Sequence, residues 1–303
     1  MASRLSRAQR WRQKLREHTI EGILFLAAAS SVLVTAGIVG VLLYESYTFF
    51  AHVPVSVFLT DTMWTPLFAD PRFGILPLVT GTLLSTAVAL FVAAPLGLIA
   101  AIYLSEFASN GFRETVKPTL EMLSGVPTVV YGFFALLFVT PLLQKTILPS
   151  LPGFNILSAG IVIGIMIIPY VASVSEDALR AVPQGLRDGS LALGATKLET
   201  AFRVVLPAAI SGVAAAFILG ISRAVGETMV VAIAAGQQPN LTLDPREPAA
   251  TITAFIVQVA LGDLPHGSVG YQSIFAAGLV LFLITLAFNI LSFWLRRRFR
   301  EVY

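Results

Sequence analysis

Cysteine is absent from this chain of 303 residues, and histidine occurs only three times, as His18, His52 and His266. The lack of cysteine excludes a disulfide framework, a thiolate metal site and a cysteine nucleophile. The histidines are far apart in the sequence, and none belongs to a pair with ligand spacing. We therefore expect no resident metal in this chain.

Charged residues are also scarce. They make up 12% of the chain, whereas a soluble domain carries about 25%. Hydrophobic residues make up 56%, and the mean hydropathy is +0.82. So few charges cannot cover the surface of a soluble fold of this size, and disorder requires low hydrophobicity together with high net charge. The composition therefore indicates an integral membrane protein.

Motifs for nucleotide hydrolysis and for common hydrolases are missing as well. Gly189 and Gly194 have the spacing of a phosphate-binding loop, but Ala195 and Thr196 follow where a lysine and then a serine or threonine are required. The patterns G-x-S-x-G and H-E-x-x-H do not occur. We predict that the chain is not an enzyme and holds no cofactor, so the energy for any work comes from a partner or an ion gradient.

Six apolar stretches are long enough to cross a bilayer, which takes about 20 residues. They are 22–44, 73–105, 122–144, about 156–174, 204–222 with an extension to about 235, and 264–295. We predict an all-α integral membrane protein with six transmembrane helices. Gly160 and Gly164 predict a helix-packing face. The run 249–261 is below spanning length and is predicted to be a re-entrant or surface helix.

Lysine and arginine concentrate in segments that share one side of the membrane. With a cytoplasmic N-terminus, 16 of the 20 face the cytoplasm, whereas Arg72, Lys145 and Arg246 face outwards and Arg223 lies in the fifth stretch. Cytoplasmic loops carry such an excess, so both ends are predicted to lie inside the cell. This anchoring explains the basic start, and we expect neither a nucleic-acid partner nor a cleaved signal peptide.

This topology divides the chain into a basic tail over 1–21, a transmembrane domain over 22–295 and a second basic tail over 296–303. The transmembrane domain includes a long cytoplasmic loop over 176–204. Apolar residues in this loop recur at helical spacing, which predicts two short amphipathic helices separated by a turn at Gly194. Such helices suit a groove on another protein, and the alternative is that they lie on the lipid surface.

At the loop the sequence resembles the permease subunits of ABC importers, which carry the pattern E-A-A-x3-G-x9-I-x-L-P. Gly194, Val204, Leu206 and Pro207 match this pattern, and Asp188, Gly189 and Ser190 stand where E-A-A is usual. The resemblance implies a type I permease-like fold and a coupling helix over about 188–202 that docks on an ATPase subunit. The residues that it assigns to this coupling are Asp188, Gly189, Ser190, Gly194, Ala195, Leu206 and Pro207.

Three further segments, 77–106, 121–136 and 222–229, resemble the phosphate-specific (Pst) permeases, and the second and third resemble the C-type subunit. The resemblance implies a multi-pass protein of the bacterial inner membrane that transports phosphate. It also implies three kinds of partner: a homologous A-type permease, two ATPase subunits that carry ATP and Mg²⁺, and an extracytoplasmic phosphate-binding protein.

Arg223 and Glu227 are the only charges in the outer half of the fifth stretch. Their i, i+4 spacing predicts that they meet on one helical face. A guanidinium suits two phosphate oxygens, and the Pst resemblance implicates both residues in anion passage. Two other interpretations remain: an ion pair that only pins helix packing, and an arginine that reaches the outer membrane surface.

Other polar residues in or beside the apolar stretches are further candidates for the path. Thr128 and Tyr131 are the two that we select, and Thr80, Thr82 and Gln258 are weaker candidates. Each of them has an alternative role as a hydrogen-bonded packing residue.

Two other functions stay open at this point. A proton-coupled secondary anion transporter would use Glu227 as its titrating group, although the sequence has no obvious inverted repeat. A membrane scaffold without transport activity is the third candidate.

Overall fold

The structure is a computed structural model that describes residues 7–298. Arg4 and Arg300, which the sequence assigns to the two basic tails, lie outside the described residues. The described helices α1 to α14 are, in chain order, Arg7–His52, Val55–Thr60, Leu76–Ile102, Asn110–Leu123, Thr128–Phe134, Thr140–Thr146, Ile156–Arg180, Gln184–Ala192, Lys197–Thr200, Leu206–Ala208, Ile210–Val225, Met229–Ala234, Ile252–Ala260 and Val269–Arg298.

Short π-helical stretches extend three of these helices without a break. Tyr103–Phe107 follows α3, Ala135–Val139 joins α5 to α6, and Ala201–Val205 joins α9 to α10. The all-α fold that the sequence predicts is confirmed.

Among the described residues, five continuous helices are long and apolar enough to cross a membrane. They are Arg16–His52, Leu76–Phe107, Thr128–Thr146, Ile156–Arg180 and Val269–Leu295. A sixth candidate is a bent pair, Lys197–Ala208 and Ile210–Val225, whose two halves meet at 74°. The fifth predicted stretch, which begins at residue 204, therefore contains this bend, and the helix that contains Pro207 runs in another direction from Ile210–Val225.

Helices α3 and α7 form the centre of the bundle. A Cβ atom at Gly164 would lie 2.7 Å from the carbonyl oxygen of Ala89, and one at Gly160 would lie 2.7 Å from Cβ of Val88. Only glycine permits so close an approach of two helices. The predicted packing face at these two glycines is therefore confirmed, and α7 is the most buried of the spanning helices.

Helix α1 differs from α7 because its spanning part packs little against the rest of the chain. Ile23, Phe25 and Leu33 are 62–71% exposed. In a bilayer such side chains face lipid or another membrane subunit. The helix also continues without a break through residue 21, where the sequence analysis placed a domain boundary.

The connection between α1 and α3 folds into an aromatic cluster. Phe49, Phe58, Trp64 and Phe73 pack edge to face, and Trp64 also meets Phe255 with ring centroids 5.0 Å apart. All five side chains are at most 8% exposed. This cluster fixes α13 against the first half of the chain.

Helix α13 covers most of the run 249–261, and its burial corrects part of the prediction for that run. Its side chains Ile252, Ala254 and Phe255 are at most 1% exposed, so it does not lie on the surface. The backbone N–H of Ile252 donates to Oγ1 of Thr82 at 3.0 Å. Hydropathy could not reveal this, because buried and lipid-facing helices are both apolar.

Helix α4 was not predicted. It is amphipathic and begins after Ser109, whose Oγ accepts the N–H of Phe112 at 3.4 Å. The chain then breaks over 124–127 before α5 begins at Thr128. Pro127 directly precedes this restart with φ of −55° and ψ of 131°, so it lies outside the helix, and its carbonyl oxygen accepts the N–H of Val130 at 3.0 Å.

Candidate functional site

A cavity of about 560 Å³ lies where α11 ends. It is lined by Ser124, Tyr170, Ser222, Arg223, Gly226 and Glu227. These residues come from three places in the fold: the break between α4 and α5, the middle of α7, and the end of α11 with the residues that follow it. The cavity thus combines one cation, one acid and three hydroxyl groups.

Glu227 lies in the break between α11 and α12 and is 6% exposed. Its Oε1 accepts the backbone N–H groups of Met229 at 3.1 Å and Val230 at 3.3 Å. The first N–H groups of a helix have no partner within the helix, so this carboxylate satisfies two of them for α12. The hydroxyl of Thr253 donates to the carbonyl oxygen of Glu227 at 2.7 Å, which ties the break to α13.

Arg223 is exposed and sits in the last turn of α11. Within the part of the chain that the structure describes, its side chain makes neither a hydrogen bond nor an ion pair. The predicted pairing of Arg223 with Glu227 on one helical face is therefore wrong. The helix ends at Val225 between them, so the i, i+4 rule does not apply, and Glu227 turns to the α12 backbone instead.

The position of Arg223 along α11 bears on whether it reaches the membrane surface. It lies thirteen residues after Ile210, or about 20 Å along the helix at 1.5 Å per residue. The hydrocarbon core is about 30 Å thick. If α11 begins at the inner edge of that core, Arg223 lies inside it, where broken helices occur only if they line a cavity or are buried in protein.

The two other predicted path residues lie elsewhere. The hydroxyl of Tyr131 donates to the carbonyl oxygen of Leu123 at 3.1 Å, and its ring packs against the core around α7. Thr128 begins α5 and is half-buried. Neither lines the cavity of Arg223, and their role in the path stays a prediction.

Three hydroxyl residues that sequence reasoning missed do line the cavity: Ser124, Tyr170 and Ser222. Ser222 adjoins Arg223, which was a usable signal. Ser124 directly precedes Gly125 and is close to Pro127, and two helix-breaking residues near a serine were another usable signal. Tyr170 lies far away in the sequence and is brought there by the packing of α7 against α11.

The loop that the charge pattern assigns to the cytoplasm contains the two short helices that its periodicity predicts, α8 and α9. Gly194 between them has φ of +87°, a conformation that favours glycine. Thr196 then caps α9 in a capping box with Glu199: its Oγ1 accepts the Glu199 N–H at 3.2 Å, and Glu199 Oε2 accepts the Thr196 N–H at 2.9 Å. The turn and the restart of the helix are both encoded locally.

The residues predicted to couple to an ATPase surround this turn. Ser190 is held by a hydrogen bond of 2.9 Å between its Oγ and Oγ1 of Thr200. The exposed members are Asp188, Gly189, Gly194 and Pro207, and the half-buried ones are Ser190, Ala195 and Leu206. Their role in coupling stays a prediction.

Apolar side chains are divided between the two sides of this loop. Val182, Ala201 and Val205 are buried against the end of α3. Leu193 is 91% exposed and Leu198 is 59% exposed. The described surface thus offers apolar contacts that the chain itself does not cover.

An ion pair anchors the start of this loop to α3. Nη2 of Arg187 lies 2.9 Å from Oε1 of Glu106, and the two side chains are 12% and 11% exposed. The same guanidinium donates to the carbonyl oxygens of Leu179 and Val182. Movement of α8 is thereby linked to the ends of α3 and α7.

The sequence matches known transport proteins over most of its length. Residues 93–301 match the family described as binding-protein-dependent transport system inner membrane component. The probable ABC transporter permease protein YqgH of Bacillus subtilis is 34% identical over 276 residues, which cover 91% of this chain and 87% of that protein. The phosphate transport system permease protein PstC of Mesorhizobium japonicum is 34% identical over 281 residues, covering 86% and 84%.

Solved structures share the fold. A chain of a bacterial ABC transporter involved in the import of the acidic polysaccharide alginate aligns with a TM-score of 0.64 at 15% identity, covering 96% of this chain and 99% of that one. A chain of the MetNI methionine ABC transporter, in an inward-facing conformation, aligns with a TM-score of 0.53 at 18% identity, covering 75% and 95%. The predicted type I permease-like fold is confirmed. This chain belongs to the family of binding-protein-dependent transport system inner membrane components, as a multi-pass membrane permease subunit.

Proposed function

We propose that this chain is one of two permease subunits of an ATP-driven phosphate importer in a bacterial inner membrane. The observation that carries the proposal is an arginine, Arg223, that has no partner among residues 7–298 and lines a cavity where a helix breaks. The relatives of the chain include phosphate transport system permease proteins. The chain forms half of the anion path. The other half belongs to a homologous A-type permease.

The chemistry of the cavity suits a tetrahedral oxyanion. The guanidinium of Arg223 offers a planar fork of N–H donors that matches two phosphate oxygens. Three hydroxyl groups line the same cavity. That of Tyr170 has no partner among the described residues and is able to donate to another oxygen of the anion. Those of Ser124 and Ser222 donate to the carbonyl oxygens of Glu121 and Ile218, at 2.6 and 2.9 Å, and would have to turn from these acceptors to reach the anion. Among the described residues no carboxylate forms an ion pair with Arg223, so its guanidinium is available to the anion, although Glu227 lines the same cavity.

Glu227 has a second role in this proposal. Its Oε1 is committed to the start of α12, which keeps the carboxylate beside the cavity. A negative charge there opposes a fully ionised anion and accepts a hydrogen bond from the protonated oxygen of monohydrogen phosphate. The repulsion weakens binding of the anion and the hydrogen bond strengthens it. Together they favour transient binding, which a transporter needs in order to release its substrate.

Energy enters through the cytoplasmic loop. Two ATPase subunits, which carry ATP and Mg²⁺, lie below the two permeases, and one of them docks against the uncovered apolar side chains around Gly194 of this chain. ATP closes the ATPase dimer, α8 and α9 move with it, and the outer gate opens to an extracytoplasmic phosphate-binding protein. Arg187 and Glu106 transmit the movement to α3.

Reconstitution tests the proposal and its alternatives. The chain is purified with its partner subunits and placed in vesicles with the phosphate-binding protein on the outer side. Labelled phosphate should accumulate only with ATP, and an excess of unlabelled sulfate should not displace it. Uptake driven by a proton gradient without ATP would identify a secondary transporter, and assembly without any uptake would identify a scaffold. Either result refutes the proposal.

A further inference from the structure

A second cavity lies at the end of the bundle that the charge distribution assigns to the cytoplasm. It has a volume of about 290 Å³ and lies between the end of α3, the start of α4, the end of α7 and the loop helices α8 and α9. It is separate from the cavity of Arg223 and shares no lining residue with it.

Positive charge dominates the wall of this cavity. Four cations line it, Arg113, Arg180, Arg187 and Lys197, against a single acid, Glu106. They come from four different helices and converge on one space. Positive side chains that line one small cavity repel one another, and a bound anion would reduce this repulsion.

The described acids nearby pair with two of these four cations. Arg113 and Arg180 also line a neighbouring cavity that holds four acids, Glu114, Glu121, Glu176 and Asp177. Glu106 is already paired with Arg187. The nearest carboxylate oxygen to Nε of Arg180 is Oε1 of Glu176, at 3.8 Å, and Oε2 of Glu176 binds Lys117. Among the described residues, neither Arg113 nor Lys197 has an ion-pair partner.

The start of α8 strengthens the preference for an anion. Gln184, the first residue of this nine-residue helix, lines the cavity, and no side chain caps the helix. The unpaired N–H groups of a helix start and the helix dipole favour negative charge.

We propose that this cavity binds an oxyanion of the phosphate class at the cytoplasmic face. Building on the phosphate import proposed above, the ligand is the imported anion after its release. Cations from α4 and α7 contact it on one side, and cations from α8 and α9 contact it on the other. Bidentate guanidinium groups and a helix start are the donors that proteins use for such ligands.

Occupancy of this site regulates transport. An anion that bridges α4 and α7 to α8 and α9 stabilises the conformation in which these helices converge on the cavity, and the transport cycle must leave that conformation to open the outer gate. A ligand shifts a conformational equilibrium towards the state that it binds better. High cytoplasmic phosphate therefore slows import.

Free phosphate and a phospholipid headgroup present the same chemistry, so the experiment separates them. The complete complex is placed in neutral phosphatidylcholine vesicles with the ATPase side outwards and the phosphate-loaded binding protein inside. ATP hydrolysis is followed by ADP release while inorganic phosphate is raised in the bath. Each rate is normalised to that of the same protein without added phosphate.

The expected result is a falling hydrolysis rate for the unchanged complex. Arg113→Gln should raise the phosphate concentration for half-inhibition at least about fivefold, because it removes a charge-assisted hydrogen bond. For Arg113→Lys, the phosphate concentration for half-inhibition should lie between the values for the unchanged complex and Arg113→Gln. The control Arg16→Gln, an exposed cation on α1 outside the cavity, should behave as the unchanged complex.

Phosphatidylglycerol vesicles form the second arm. If free phosphate has no effect but this lipid changes the hydrolysis rate, and Arg113→Gln abolishes the change, the site holds a lipid headgroup. The cavity is then an oxyanion site, but the imported anion is not its ligand, and the inferred regulation by cytoplasmic phosphate is refuted.

Three results overturn the inference. Inhibition by phosphate that is equal in Arg113→Gln and the unchanged complex would come from the ATPase. Absence of any Arg113-dependent response to phosphate or lipid would show no site. Loss of the ATPase subunits from Arg113→Gln during purification would identify the cavity as a protein interface. Failure of the unchanged complex to move phosphate would instead refute the proposed function.

Discussion

The charges near the cytoplasmic end and the charges at the end of α11 are used in different ways. Lys117 on α4 binds Oε2 of Glu176 at 2.7 Å and also binds Asp177, and Glu176 is 1% exposed. Arg187 and Glu106 form a second pair of low exposure. Arg223 has no such partner in the described part of the chain.

The comparison teaches which charges hold the structure and which are free to bind. A buried charge is costly unless it is paired and hydrogen-bonded. Two pairs at the cytoplasmic end meet this need, Lys117 with Glu176 and Arg187 with Glu106, so removing one member leaves the other unpaired. Arg223 meets it through exposure to a cavity, so its removal should affect transport far more than assembly.

The largest effect on stability is expected for Arg187→Ala. It leaves Glu106 unpaired at 11% exposure, which should cost about 3–5 kcal/mol of the free energy of unfolding. Thermal unfolding of the detergent-solubilised complex measures the loss. The double variant Arg187→Met with Glu106→Gln should recover more than half of it, and an unchanged unfolding temperature in Arg187→Ala would show that the pair is unimportant.

A smaller loss is expected for Lys117→Met. Glu176 keeps Arg180 at 3.8 Å, and Lys117 is itself 22% exposed, so we expect about 2 kcal/mol. Thermal unfolding at neutral pH measures this loss. An unfolding temperature equal to that of the unchanged complex would contradict it.

The same cluster has a pH dependence. Burial opposes the charge of Lys117, but the hydrogen bonds and attraction of Asp177 and Glu176 outweigh it and raise its pKa. The stabilisation is therefore complete below the ordinary lysine pKa of about 10.4 and is lost as the pH rises through the higher folded value. Unfolding temperatures of the unchanged complex and Lys117→Met should converge only in that alkaline range, and convergence near neutral pH would contradict this account.

Gly194→Ala tests the loop with a still smaller expected change. A Cβ atom there meets nothing within 4 Å, so only the φ of +87° opposes it. The cost is about 1–2 kcal/mol, which should weaken binding of the ATPase up to about thirtyfold if binding needs this turn.

Gly185→Ala is the matched control, because its Cβ also has open space and its φ is not in the left-handed range. Pull-down of the ATPase at graded concentrations gives both affinities. Equal affinities for the two variants would show that the turn at Gly194 has no part in docking.

The smallest effect is expected at Asp244, in the loop between α12 and α13. Hydrogen bonds from the side chain and backbone of Arg246 lower the pKa of this carboxyl to about 2. Its contribution is present above the usual aspartate value of about 3.9 and is lost as the pH falls through about 2.

Infrared spectra of the unchanged chain minus those of Asp244→Asn should follow this carboxyl alone. We expect the carboxylate band to persist well below pH 3.9. A midpoint at that ordinary value would refute the pairing, and uptake should be the same in both proteins at neutral pH.

The spanning helices and the cytoplasmic loop could be predicted from the sequence because their signals are local. An apolar run must satisfy its backbone as a helix in lipid. The turn at Gly194 and the restart at Thr196 also depend on neighbouring residues. Residues close in the sequence therefore determine these features without contacts from the rest of the chain.

The break at Glu227 could not be predicted in the same way. It depends on the Thr253 hydroxyl that reaches the Glu227 carbonyl oxygen from 26 positions away in the sequence. Tyr170 enters the cavity through the packing of α7, which is equally remote. Local spacing therefore selected Arg223 and Glu227, which do line one cavity, but it wrongly predicted that they pair on one helical face.

Phosphate uptake by Arg223→Gln complexes tests the central claim most directly. Substrate-dependent uptake with ATP should fall at least about 100-fold, because two charge-assisted hydrogen bonds to the anion are lost. Arg223→Lys should retain part of the uptake, because lysine keeps the positive charge but not the planar fork of donors. All subunits should still co-purify in both variants. Normal uptake by an assembled Arg223→Gln complex would contradict the account.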